Sequence, residues 1–309
     1  MQDASQTSNL KQRTGGAALT KPLRTCEPRP KFSGVSRTSR RKQMDLAAYA
    51  AALVAVACYT NSLSGEFVFD DLRAITGNPD VLPSTPISNL LINDWWGRSL
   101  FSMDSHKSFR PLSVLSFRLN YLFGQLHPIG YHIANVALHA IASAQVVHVT
   151  RRIVGFEPVA CAIAGLLFAV HPVHVEAVAS VVGRAEVLCA CLFFAAFLSF
   201  CRCVDVGCQH AGGGASAAYL GLTLTFVAAA TLAKETGITA VALCFVYDMC
   251  HTAREMGKSS RRNGGDNWQR AAGFLQRQEL TSEEWNHLSL TGPPEPLCNC
   301  AAGALLLCL

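Results

Sequence analysis

Several apolar runs in this chain approach the length of about 20 residues that an α-helix needs to cross a hydrocarbon core of roughly 30 Å. A backbone in lipid must satisfy its own hydrogen bonds, so the runs read as helices rather than strands. Composition agrees: 50% of the 309 residues are hydrophobic, 15% are charged and the mean hydropathy is +0.25, a balance rare in soluble domains. The expected fold is an all-α polytopic membrane protein with about six spans, at Leu46 to Leu63, Ile129 to Thr150, Pro158 to Val170, Ala185 to Val204, Ala217 to Ala233 and Thr236 to Cys250. Residues 1–44 read as a disordered basic arm, 45–250 as the membrane domain and 251–309 as a divergent, disordered tail.

Charge orients these spans. The arm carries ten Lys and Arg residues, among them Arg40, Arg41 and Lys42, against only Asp3 and Glu27. Excess basic charge beside a first span keeps that end in the cytoplasm. A basic run can also bind nucleic acid, but the adjoining span favours the topological reading, with no nucleic-acid partner. The first apolar run lies too far from the N-terminus for an ordinary signal peptide and reads as a retained signal anchor. Arg151, Arg152, Arg202 and Arg254 then fall on the arm's side, although Arg73, Arg110, Arg184 and Lys234 fall opposite with most of the acids.

The most informative segment is the polar loop at 64–128, placed on the far side from the arm. Leu112, Leu115, Leu119 and Leu122 recur at helical spacing, with Arg118 and Asn120 opposite, and predict an amphipathic helix in the membrane interface. Trp95 and Trp96 would anchor the loop at that depth. Near the start of the loop stand the adjacent acids Asp70 and Asp71. As a site, one acts as general base on a hydroxyl while the other orients it or tunes its pKa. As a structural feature, the pair caps a helix or solvates a turn.

The run Gly65-Glu66-Phe67-Val68-Phe69-Asp70-Asp71, the later His106 to Ser113, His171 to Glu176, Gly183 to Glu186 and Lys234 to Thr239 resemble, in order and spacing, the transmembrane O-mannosyltransferases that target cadherins. The resemblance covers about Leu46 to Asp248. It implies the membrane half of a GT-C-type glycosyltransferase in the endoplasmic reticulum membrane, a dolichyl-phosphate-mannose-protein mannosyltransferase. Its donor would be dolichyl phosphate mannose, its acceptor Ser or Thr of cadherin-like lumenal domains, and it would need no cofactor. By position, Asp70 and Asp71 match the acidic motif of the first lumenal loop, where this class keeps the acid that activates the acceptor.

A phosphate leaving group develops charge, and Arg110, Arg184 or Lys234 could stabilise it. Arg184 could equally pair with Glu176 or Glu186. His171, Glu176, Glu186 and Glu235 are supporting candidates, whereas the imidazole of His174 is expected to satisfy local backbone. His171, His174 and Glu176 do not make a strong metal motif, so no metal is expected. The 13 cysteines include five in apolar spans, where Cys acts as a small hydrophobe. Gly212-Gly213-Gly214 reads as a connector, not a phosphate loop.

Beyond His251 the resemblance stops, and no repeat of about 34 residues follows, so the expectation is a truncated form, weak or inactive alone. A non-catalytic membrane scaffold is the alternative. A transporter is disfavoured, since no inverted repeat is evident.

Overall fold

Proline sets the starts of three helices. Pro111, Pro128 and Pro158 each open one, where the missing N–H costs nothing and the fixed φ is already helical. The structure, a computed structural model, describes residues 37–153, 155–208 and 213–275, with side chains over 38–153, 155–207 and 214–257. In chain order the α-helices are α1 (Arg37–Tyr59), α2 (Pro111–Gly124), α3 (Pro128–Ile153), α4 (Pro158–Val170), α5 (Val175–Ala179), α6 (Arg184–Cys208), α7 (Gly213–Ala233) and α8 (Ala240–Leu275). Among the described residues there is no β-strand, only one isolated bridge between Asn93 and Ser99.

α1 packs against α3 and α4, α3 against α6, and α6 against α7. Small residues bring the first three close. Ala51 and Ala55 of α1 are fully buried, and a Cβ on Gly165 of α4 would lie 2.4 Å from a methyl of Val147. Such contacts hold helices together where lipid supplies no hydrophobic drive between them. The outward surface is apolar too: Leu53, Val159, Leu167 and Phe245 are all exposed, as helices facing acyl chains require.

Among the described residues four helices are long and apolar enough to cross a membrane, or five if α4 and the bent segment after it, Pro172–Ala179, form one span broken by 44°. α4 ends at Val170, where the sequence ends the third span. Pro172 cannot continue the α4 ladder, and the Nδ1 of His171 accepts the Val173 N–H at 3.2 Å to start the next turn. The predicted sixth span is different. A 3-10 turn, Glu235–Thr239, precedes α8, and α8 does not qualify as a span because Asp248, Arg254 and Glu255 interrupt it.

The expected arm and tail are each described only in part. Helix α1 already includes 37–44, and α8 carries 251–275; 1–36 and 276–309 lie outside the described residues. Extending an existing helix skips the costly nucleation step, so polar residues beside an apolar span join it. At that end Arg40 reaches Glu157, at 3.4 Å, ahead of α4.

The large loop folds into turns pinned by side chains. Asn78 Oδ1 accepts the Asp80 N–H at 2.9 Å and its Nδ2 donates to the Trp95 carbonyl at 3.1 Å. Gly97, at φ +75°, sits so close that a Cβ would lie 2.4 Å from Asn78 Oδ1. Helix α2 turns Leu119, Leu122 and Phe123 outward, as an interfacial helix would, but Arg118 does not face solvent as expected. It is buried, donating to the carbonyls of Asp80, Pro83 and Thr85 at 3.3, 3.1 and 2.7 Å. A guanidinium serves three turn carbonyls at once, which offsets its burial. Nor is Trp95 an interfacial anchor: it is buried with Phe117, their ring centroids 5.5 Å apart.

Candidate active site

A cavity of about 960 Å³ opens between the loop and the ends of the membrane helices. Asp70, Trp96, His106 and Arg110 line it from the loop, and Glu176, Ser180, Val182 and Glu186 from the segment that leads into α6. Its inner end is aromatic and apolar, with Phe168, Phe193, Phe194 and Leu243.

The acidic pair is split by its backbone. Phe69 takes φ +47°, in the left-handed region that a bulky residue seldom adopts, and just after it Asp70 and Asp71 open a helical turn in which successive side chains point in different directions. Asp70 is exposed and lines the cavity. Asp71 is fully buried; Oδ2 accepts the Val68 N–H at 3.2 Å and Oδ1 the Val182 N–H at 2.8 Å.

The three candidate cations part company as well. Arg184 is 1% exposed, and its guanidinium donates to Asn135 Oδ1 at 2.7 Å, to the Tyr131 carbonyl at 2.6 Å and to Asn120 Oδ1, lying over the rings of Phe117 and Tyr131. It faces the interior, outside the cavity lining, and pairs with neither Glu176 nor Glu186. Its planar fork of donors ties α2, α3 and α6 together. Arg110 lines the cavity, 3.0 Å from Glu235 and above the Trp95 ring. Lys234 bonds to Glu186, itself a cavity residue.

His171 stands outside the cavity lining and caps the turn after α4. The His174 ring reaches the cavity and packs on Phe168, centroids 4.2 Å apart, rather than serving the local backbone. Among the described residues no group of three or more His, Cys, Asp or Glu is placed to hold a metal ion.

Sequence reasoning passed over two contributors. His106 lines the cavity beside Trp96. Asp94 closes the turn that presents both tryptophans, accepting from Trp96 N at 2.9 Å, Arg98 N at 3.0 Å and Ser105 Oγ at 2.7 Å. Burial pushes the Asp94 pKa up, but hydrogen bonds from Ser105 and from the backbone of Arg98, Trp96 and His106 outweigh it and hold the carboxyl below its ordinary value. The Asp-Trp-Trp-Gly spacing was the available signal, an acid able to cap its own turn ahead of a glycine.

The turn at 180–183 carries the inner wall. Asn135 Nδ2 donates to the Ser180 carbonyl at 2.8 Å, and a Cβ on Gly183 would lie 2.4 Å from the Ala177 carbonyl oxygen. Gly183→Ala should therefore cost about 1–3 kcal/mol by overpacking. The expected result is a fall of several degrees in the unfolding temperature of the detergent-solubilised chain, and an unchanged midpoint would contradict this packing.

Comparison with known proteins supplies the relationship. Over 234 residues the chain is 45% identical to the mouse protein O-mannosyl-transferase TMTC1, covering 74% of this chain and 25% of that protein. It is 48% identical over 198 residues to human TMTC3, covering 63% and 21%, and 43% identical over 209 residues to human TMTC4, covering 63% and 28%. The chain is a homologue of the protein O-mannosyl-transferases. It spans about a quarter of the length of these O-mannosyl-transferases. No family model matches it, and no solved structure does. Homology and helices together make it an all-α, multi-pass membrane protein.

Proposed function

We propose that this chain forms the acceptor-activating part of a protein O-mannosyltransferase in the endoplasmic reticulum membrane, with dolichyl phosphate mannose as donor and Ser or Thr of cadherin-like domains as acceptor. The observation that carries the proposal is the exposed Asp70 carboxylate in a cavity shared with Arg110, in a homologue of protein O-mannosyl-transferases. Asp70 takes the proton of the acceptor hydroxyl as its oxygen attacks C1 of mannose. The C1–O bond to phosphate breaks, and dolichyl phosphate leaves with the electron pair. Arg110 offsets the charge that develops on the phosphate, exchanging its contact with Glu235 for one with the leaving group. Lys234 acts beside it through Glu186. Glu176 stands on the facing wall.

The test is transfer of labelled mannose from dolichyl phosphate mannose to a cadherin-like domain, in membranes carrying the full chain or a chimaera in which it replaces the matching segment of human TMTC3. Transfer that depends on Asp70 supports the proposal. Equal transfer with and without the carboxylate takes Asp70 out of the mechanism, and no transfer even with the carboxylate in place makes the chain a scaffold.

The same reading fixes orientation, with the basic end of α1 cytosolic and the Asp70 loop lumenal. An engineered N-glycosylation acceptor near Ser84 should be modified and one near Ser259 should not. The reverse pattern would overturn the topology.

A further inference from the structure

We infer that Asp71 is a positioning residue: it locks the left-handed turn at Phe69 against the 180–183 turn, and so aims Asp70 into the cavity. The inference rests on the reading of Asp70 as the base.

The geometry is specific. Phe69 is 91% exposed at φ +47°, so no packing of its own ring holds that conformation. A non-glycine residue persists there only where its surroundings impose it. The turn around it is closed by two backbone bonds, from the Asp71 N–H to the Val68 carbonyl at 3.0 Å and from the Leu72 N–H to the Phe69 carbonyl at 3.3 Å, and by the Asp71 carboxylate. One carboxylate oxygen fixes the residue before Phe69 through the Val68 N–H, and the other fixes a residue 111 positions away through the Val182 N–H. Val182 lines the cavity, and its turn is anchored in turn by Asn135. Asp71 is fully buried and lies outside the cavity lining, so it cannot meet an acceptor hydroxyl; it acts through the position of its neighbour.

Two measurements test this. Hydrogen exchange on the full chain in detergent should show that Asp71→Ala speeds exchange in peptides 66–72 and 178–184 together, with Asp71→Asn intermediate because it keeps one acceptor oxygen. Unchanged exchange at 178–184 would overturn the tie, whatever the chemistry of the site.

The second measurement is transfer by the chimaera. Asp71→Ala should lower kcat by about 10²-fold, the usual effect of small misplacement, with KM for the donor near that of the parent. The fall in rate at low pH, which reports protonation of the base, should persist. Phe69→Gly added to Asp71→Ala should restore about tenfold, because glycine populates positive φ without the left-handed penalty of an L-residue. Loss of the low-pH fall in Asp71→Ala, or no recovery with glycine, would overturn the positioning role. Normal transfer by Asp70→Asn would instead remove the base, and leave the exchange result standing.

Discussion

Asp70→Asn is expected to reduce mannose transfer by about 10²- to 10⁴-fold, the range in which a positioned general base contributes. Amide for carboxylate keeps the shape and the exposure but removes the proton acceptor. The side chain is exposed in the cavity, so insertion into membranes and yield should hardly change. The decisive comparison is between transfer rate and yield of folded chain. A parallel loss of both would mean that Asp70 supports the loop, and full transfer would take it out of the mechanism. Glu176 and Glu186, on the opposite wall, then become the carboxylates to replace.

Arg184→Met should have the opposite signature, with the folded chain itself failing to accumulate. The substitution strips donors from Asn135 Oδ1, Asn120 Oδ1 and the Tyr131 carbonyl. Each buried acceptor left unmatched costs about 1–3 kcal/mol, while relief from burying the cation offsets part of the sum. A net loss of about 3–5 kcal/mol is a large share of the 5–15 kcal/mol that typically holds a folded domain. Arg184→Lys should not recover it, because a single ammonium nitrogen cannot reach acceptors that the arginine meets from three separate nitrogens. Yield from membranes and thermal unfolding in detergent are the readouts. Normal yield with impaired donor binding would restore Arg184 to the phosphate site and refute its place in the frame.

The two arginines show what sequence could and could not reveal. Arg110 and Arg184 each stand in a recognisable motif near a membrane helix end, and both are cations available to a phosphate on paper. What separates them is burial and the presence of Asn120 and Asn135, which come from helices far away in sequence. Spans were legible because hydropathy and proline act locally: α4 ends where His171-Pro172 said it would. The expected last span, Thr236 to Cys250, begins in a 3-10 turn and continues in a helix that soon turns polar, a division that its apolar composition concealed. The acidic pair was legible as two adjacent carboxylates, but that Asp70 is exposed at the cavity while Asp71 is buried against the Val182 amide leaves no trace in composition or spacing.

Lys234 and Glu235 are adjacent in the turn between α7 and α8, yet each reaches a different neighbour, Glu186 at the start of α6 and Arg110 at the start of α2. That two-residue junction is a fork joint. Two walls of the cavity are tied to it, one through Arg110 and the other through Glu186, so replacing either Lys234 or Glu235 would free one wall and leave the other held.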